Sequence, residues 1–216
     1  MRKNRNRIHK QALFRLGSIL CLVLLAVLLS SCATGGSAGL GHFHTVIVDA
    51  GHGGHDRGAR SVSGTPEKML ALDTAKRLAR ILRSKGFRVI ETRTTDNFIT
   101  LGNRVAISNR SGGAIFVSVH YNWAPRSSAR GLEVYYYNPR SRGLAGSIMQ
   151  QITKAYPTEN RGVKRNNYYV LRNNRRPAVL CELGFLSNSQ DNRYVQNPTY
   201  RQRLAERIAA GITAAK

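Results

Sequence analysis

Three apolar segments, each ending in a histidine or a carboxylate, constrain this chain more than any other feature of its sequence. They are residues 46–52, 114–120 and 177–182, which end at His52, His120 and Glu182. Runs rich in Val, Ile and Phe favour buried β-strands, and glycines beside the first histidine let the backbone bend tightly. In open α/β folds the chemistry lies at the carboxyl ends of strands. The pattern therefore predicts three strands that bring these side chains to one edge of a sheet.

The rest of the pattern predicts that strands alternate with helices. Strands are predicted at residues 45–49, 87–92, 114–120, 131–137, 167–171 and 178–182. Helices are predicted at residues 67–85, 101–110, 143–155 and 198–214. Such an alternation favours βαβ crossovers. We therefore predict an α/β fold with three layers, in which helices flank a mainly parallel central sheet.

The first 31 residues are typical of an export signal. Six basic side chains precede the apolar run at residues 16–29, which is short for a spanning helix of roughly 20 residues. The segment that ends in Cys32 resembles the bacterial lipobox, in which the thiol becomes lipid-modified. We predict a lipoprotein signal peptide at residues 1–31, a flexible tether at 32–41 and one domain at 42–216. A plain cleaved signal and an uncleaved anchor are the alternatives.

The balance of charge predicts an anionic partner. The signal holds six of the 34 Lys and Arg and none of the 11 Asp and Glu, which leaves a net charge of +17 for residues 32–216. In an exported protein such a charge favours lipid headgroups or cell-wall polymers, so we expect no nucleic-acid partner. Ala33 follows Cys32 in place of the aspartate associated with inner-membrane retention. We therefore expect a lipid anchor in the cell envelope, at an outer membrane facing the periplasm.

The candidate chemistry is that of a metal-dependent hydrolase. A catalytic zinc ion commonly takes three protein ligands from histidines and carboxylates and keeps a fourth position open. His52, Glu67 and His120 are the candidates for Zn²⁺ ligands, since each lies at a strand end or a helix start. Glu182 is then a second carboxylate that is free to move a proton.

Other interpretations of the same residues stay open from spacing alone. A histidine at a strand end is often structural, and Glu67 could serve the first turn of its helix. Glu182 could be a buried carboxylate paired with an arginine. His55 and Asp56 are alternative ligands in the first loop.

Several ordered motifs together resemble one enzyme family. They are Val46–Gly54, Glu67-Lys68, Thr92-Arg93, Arg104, Phe116–Asn122 and Val179–Asn188. From about residue 44 to the C-terminus, the chain resembles the zinc-dependent N-acetylmuramoyl-L-alanine amidases of the amidase 3 family. The resemblance implies an α/β catalytic domain at residues 42–216. It also implies zinc held by His52, Glu67 and His120, with Glu182 as the catalytic acid and base.

The resemblance further implies a substrate and a reaction. The substrate is peptidoglycan, and the bond cleaved joins the lactyl group of N-acetylmuramic acid to L-alanine of the stem peptide. Asn122 and Arg176 are candidates for holding carboxylates of the stem peptide. A protein activator is a candidate partner. The alternatives are a non-catalytic peptidoglycan-binding lipoprotein and a zinc peptidase that cuts within the stem.

Overall fold

The computed structural model describes residue 40 and residues 42–216. The predicted signal peptide at residues 1–31, the predicted lipidation site Cys32 and all but residue 40 of the predicted tether lie outside the described residues. These three remain predictions. The described residues form one compact unit by themselves. Within the described ranges, no helix is long and apolar enough to cross a membrane.

The described residues form a sheet of six strands. These are β1 Thr45–Ala50, β2 Arg88–Glu91, β3 Ala114–Asn122, β4 Leu132–Tyr136, β5 Asn160–Arg165 and β6 Ala178–Phe185. Their order across the sheet is β2-β1-β3-β6-β4-β5. The first four strands in that order are parallel, whereas β4 is antiparallel to β6 and parallel to β5. The predicted α/β fold with a mainly parallel sheet is confirmed.

Helices cover both faces of this sheet. They are α1 Glu67–Ser84, α2 Leu101–Asn109, α3 Arg142–Ile152, α4 Tyr169–Arg172, α5 Ser189–Gln196 and α6 Pro198–Ala214. Leu78, Ile148 and Ile208 from α1, α3 and α6 pack in the larger hydrophobic core. On the other face, α2 and α4 contribute Val105 and Leu171 to a smaller core. The predicted three layers are therefore present, with the longer helices on one side.

Burial explains why the central strands are so apolar. Every residue of β1 is buried, and β3 is buried from residue 114 to residue 119. A parallel strand with neighbours on both sides and helices on both faces has no surface for water, so its sequence is nearly continuously hydrophobic. The same segments place their last residues at the carboxyl edge of the sheet, where the candidate site lies.

The strand predicted at residues 167–171 is wrong. Tyr169–Arg172 forms the short helix α4, and the strand lies earlier, at Asn160–Arg165. The β-prone run of two tyrosines, valine and leucine suggested a strand, but Val170 and Leu171 are buried as part of a helical turn against the smaller core. The true β5 is a half-exposed edge strand with Val163 as its one aliphatic side chain. It therefore carries no apolar signal of its own.

Candidate active site

The loop after β1 directs His52 into a cavity at the carboxyl edge of the sheet. The backbone φ of His52 is 59°, a left-handed value that residues other than glycine seldom adopt. Arg104 donates to the carbonyls of Ala50 and His52, each at 2.6 Å, and Arg93 donates to that of Gly51 at 2.7 Å. These guanidinium groups hold the loop in its uncommon conformation.

Three side chains from three different elements meet in this cavity. Glu67 begins α1 and His120 lies near the end of β3. The Oε2 atom of Glu67 lies 3.0 Å from Nε2 of His52, and its Oε1 atom lies 2.9 Å from Nδ1 of His120. One ligand atom from each residue can be chosen so that all lie within 4.8 Å of one another. The structure thus brings together the three residues predicted to bind metal.

Hydrogen-bond donors around Glu67 keep it in the ionised form. Besides the two histidines, it accepts hydrogen bonds from the backbone N–H groups of Ala59 and Tyr121, both at 3.0 Å. Burial alone would raise the pKa of Glu67, but the hydrogen bonds from His120 and His52 outweigh it and lower that pKa well below its usual range. A buried carboxylate that stays ionised can bind a cation.

Asp56 supports His52 and contacts no other member of the group. Nδ1 of His52 lies 2.9 Å from both carboxylate oxygens of Asp56. This contact leaves Nε2 for the centre of the cavity, as outer carboxylates commonly do for metal-binding histidines. His55, the other alternative in this loop, is exposed and packs against Phe98 with ring centroids 4.1 Å apart. Neither alternative replaces one of the three candidate ligands.

The residues present fit a zinc ion. Two imidazoles and one carboxylate are a donor set typical of catalytic zinc sites. The three donor groups converge as zinc ligands do, and Asp56 contacts the other ring nitrogen of His52, as a carboxylate often does behind a zinc-bound histidine. His52, Glu67 and His120 could therefore hold a metal ion of this kind.

Glu182 lies beside this group with a free oxygen. It is paired with His120 in the register of β3 and β6 and is 9% exposed. Its Oε2 atom is buried and has no hydrogen-bond partner among the described residues. Burial, and then the charges of Glu67 and Glu133, raise the pKa of Glu182 well above its usual value. Such a carboxyl group can accept a proton and give it back.

Comparison with known proteins identifies the family. The family model described as N-acetylmuramoyl-L-alanine amidase matches residues 46–214. The chain belongs to this family. Within it, the probable cell wall amidase LytH of Staphylococcus aureus is 38% identical over 170 residues, which are 78% of this chain and 57% of LytH. The chain therefore spans little more than half the length of that relative.

Solved structures agree with this assignment. An N-acetylmuramoyl-L-alanine amidase from Clostridium difficile 630 is 35% identical, with a TM-score of 0.77 over 80% of this chain and 96% of that one. The CwlD amidase from Clostridioides difficile, solved in complex with the GerS lipoprotein, is 32% identical with a TM-score of 0.76. That match covers 80% of this chain and 98% of CwlD.

In this amidase-family chain, a second buried carboxylate lies next to Glu182. Glu133 of β4 pairs with Glu182 in the register of the two strands and is 2% exposed. Arg161 and Lys164 of β5 donate to its Oε1 atom at 2.7 Å and 2.6 Å. Asn122 and Tyr135 donate to its Oε2 atom at 2.7 Å and 2.8 Å. Four donors thus fix Glu133 as an anion, whereas Glu182 lacks such partners on Oε2.

The sequence analysis missed Glu133. The one available signal was a carboxylate within the β-prone run Leu132–Tyr137. Asn122, predicted to hold substrate, lines the cavity, but its side-chain N–H donates to Glu133. In this structure the side chain of Asn122 therefore positions Glu133.

The structure does not bring Arg176 to the site. Arg176 precedes β6, so it lies at the amino end of the strand that carries Glu182 at its other end. Its Nη2 group donates to the carbonyl of Asn109 at 3.1 Å, and its side chain lines a different cavity. The direction of β6 is the physical reason that Arg176 cannot share the cavity of Glu182.

The cavity of the amidase site has an aromatic rim. Its volume is 640 Å³, and the three candidate ligands, Glu182 and Asn122 are among its lining residues. Exposed aromatic side chains surround it, namely Phe98, Trp123, Tyr168 and Tyr169. Flat apolar faces beside a polar centre suit a substrate that combines sugar rings with a peptide.

Proposed function

We propose that this chain hydrolyses the amide bond between the lactyl group of N-acetylmuramic acid and L-alanine of the peptidoglycan stem peptide. One observation supports the proposal above the others. The buried Oε2 atom of Glu182 has no hydrogen-bond partner in the part of the chain that the structure describes, and Glu182 lies beside His52, Glu67 and His120, in a chain of the amidase family. A protein that only bound peptidoglycan would gain nothing from burying a carboxyl group without partners, because burial of this kind costs stability.

In the proposed reaction, His52, Glu67 and His120 would hold a zinc ion. When bound, zinc acts as a Lewis acid toward the scissile carbonyl group and lowers the pKa of water. Glu182 takes the proton of the attacking water on Oε2. It then gives that proton to the nitrogen of L-alanine as the C–N bond breaks. The products are the lactyl carboxylate and a stem peptide with a free amino terminus.

The proposed roles around the proton carrier follow from the contacts. Glu133 stays ionised because Arg161 and Lys164 neutralise it, so it does not compete for the proton. Its charge nevertheless contributes to the raised pKa of Glu182. Two carboxylates on facing strands therefore have different roles because their hydrogen-bond partners differ.

Mass spectrometry of the products tests this proposal. Purified residues 38–216 acting on peptidoglycan are expected to release stem peptides that begin with L-alanine. Activity should disappear with a chelator and return with added zinc, since the three ligands converge on one position. Cleavage between amino acids of the stem would instead indicate a zinc peptidase. Retention on peptidoglycan without any product would indicate a binding protein.

We further propose that the chain is exported and anchored in the cell envelope through a lipid on Cys32. The basic start, the short apolar run and the lipobox-like segment support this proposal. An outer membrane facing the periplasm is the proposed location, on the strength of Ala33 after the modified cysteine. Peptidoglycan would then lie within reach of the enzyme.

Replacing Cys32 tests the anchor. The Cys32→Ser variant is expected to leave the membrane fraction, because a single serine hydroxyl cannot carry the thioether-linked lipid. Cys21→Ser, within the predicted signal, is the matched control and should stay in the membrane fraction. The mass of the N-terminal peptide measures the modification directly. An unmodified peptide from the wild type would contradict the proposal.

A protein activator is also proposed, from one comparison. CwlD, similar to this chain over almost its full length, was solved in complex with the GerS lipoprotein. A partner of this kind would act on the part of this chain that is similar to CwlD.

A further inference from the structure

The face of the domain opposite the active site is strongly basic. Strands β1, β2, β3 and β6 begin there, and β4 and β5 end there, because they run the other way. We name this surface the amino-end face. It carries seven exposed cationic residues, namely Lys85, Arg88, Arg110, Arg140, Arg165, Arg175 and Lys216. They come from the ends of helices and strands that are far apart in sequence.

In the described part of the chain, no acidic side chain neutralises these seven residues. None of them forms an ion pair with any residue that the structure describes. The acidic residues are instead concentrated toward the active site, where Asp49, Asp56, Glu67, Glu133 and Glu182 lie. The two ends of the domain therefore differ, because cations and carboxylates lie together at the active-site end, whereas the seven cations of the amino-end face have no ion-pair partner among the described residues.

The amino-end face also contains a cavity. Its volume is 470 Å³, and Arg140, Arg175 and Arg176 line it together with apolar side chains such as Phe43 and Pro177. The Nε atom of Arg176 is buried without a hydrogen-bond partner among the described residues. A recess with cationic walls and an apolar floor suits an anionic group attached to an apolar body.

We propose that the amino-end face docks on an anionic lipid bilayer. Lys and Arg side chains beside such a surface each contribute to binding, and seven of them project from this face. The chain also enters the domain here, since residues 42–44 lead directly into β1. Cys32 is ten residues before residue 42, so even a fully extended segment reaches at most ~35 Å. The argument from the chain entry depends on the lipid anchor proposed above. The argument from the charge of the amino-end face does not depend on it.

Docking in this way turns the active site toward the cell wall. The cavity with Glu182 opens at the carboxyl edge of β1, β3 and β6, which is the edge away from the amino-end face. A wall polymer bound to the amino-end face would be at the wrong end of the domain for hydrolysis. A bilayer at that face instead leaves the catalytic cavity accessible.

Vesicle sedimentation of residues 38–216, which lack the anchor, tests the proposal. A chain with little beyond this domain is folded in the similar C. difficile 630 structure. The test variant is Arg110→Gln/Arg140→Gln/Arg175→Gln, which changes three exposed side chains that form no ion pair within the described residues. The control is Lys76→Gln/Arg203→Gln/Arg207→Gln on the helices, with the same change in charge. Binding to phosphatidylcholine vesicles containing phosphatidylglycerol should fall roughly 10- to 100-fold in the test variant and stay near wild type in the control.

Several outcomes would overturn the proposal. These are equal losses in both variants, equal binding to pure phosphatidylcholine, and no binding to anionic vesicles. Retention on anionic wall polymer that only the test variant loses would assign the face to that polymer. Hydrolysis of a soluble muropeptide is measured separately and should be the same in all three proteins. An inactive wild type that binds vesicles as expected would contradict the proposed hydrolysis but not the docking face.

Discussion

The Glu182→Gln variant is expected to lose about 10²- to 10⁴-fold in kcat for amide hydrolysis, the usual contribution of a positioned acid or base. Glutamine has nearly the same shape as glutamate, but its amide cannot take a proton from water and pass it to the leaving nitrogen. The three candidate metal ligands make no hydrogen bond to Glu182, so the zinc content should be unchanged. Release of stem peptides under single-turnover conditions measures the loss.

Stability provides the control for that variant. Because burial raises the pKa of Glu182, the folded state loses stability as the pH rises from the ordinary pKa of glutamate toward the raised value. Glutamine does not ionise, so the free energy of unfolding of the metal-free variant at neutral pH should equal or exceed that of wild type. The exposed Glu206→Gln is the matched substitution away from the site. Activity of Glu182→Gln close to that of Glu206→Gln would show that another group moves the proton.

The four central residues could be predicted because their positions follow from chain direction. His52, His120 and Glu182 lie within three residues of the carboxyl ends of parallel strands, and Glu67 begins the helix that follows the first loop. Parallel strands bring their carboxyl ends to one edge, so the sequence alone placed all four together. The same rule excludes Arg176, which precedes β6. Its selection as a substrate contact followed from charge without regard to the direction of the strand.

The cluster around Glu133 could not be predicted, because it depends on an edge strand. Arg161 and Lys164 reach Glu133 only because β5 pairs with β4. The sequence of β5 has almost no apolar residues, since an edge strand with exposed faces does not need them. With the strand predicted at residues 167–171 instead, the two cations had no predicted position. Tertiary pairing, which leaves no local pattern, determines this part of the site.

A buried ion pair lies beneath the loop that carries His52, and breaking it is expected to have a large effect on stability. Asp49 and Arg104 are 1% and 2% exposed, and Nη1 of Arg104 lies 2.7 Å from Oδ1 of Asp49. Ser118 and Thr92 each donate to Asp49 at 2.6 Å. Burial alone would raise the pKa of Asp49, but the charge of Arg104 and these hydrogen bonds lower it. Asp49 is therefore an anion whose only buried counter-charge among its hydrogen-bond partners in the described chain is Arg104.

The Arg104→Met variant is expected to lose about 3–5 kcal/mol in the free energy of unfolding, the usual cost of leaving one buried charge unpaired. Methionine retains part of the volume of the arginine side chain. We therefore expect the lost charge of Arg104 to lower the free energy of unfolding more than the lost packing does. The variant also leaves the carbonyl of His52 without its donor from Arg104. Denaturant unfolding of metal-free residues 38–216 measures the change, and zinc titration measures the effect on the loop.

A double-mutant cycle separates charge from packing in this cluster. Asp49→Asn removes the anion and keeps one side-chain oxygen, which can accept from Ser118 or from Thr92, while its amide N–H group can donate to the other hydroxyl group. The Asp49→Asn/Arg104→Met protein should therefore be more stable than the sum of the two single losses predicts, because neither member of the Asp49–Arg104 pair is then left charged without the other. Simple additivity would mean that Arg104 acts through its contacts with the loop carbonyls alone. In that case the buried pair would orient His52 without being a main source of stability for the sheet.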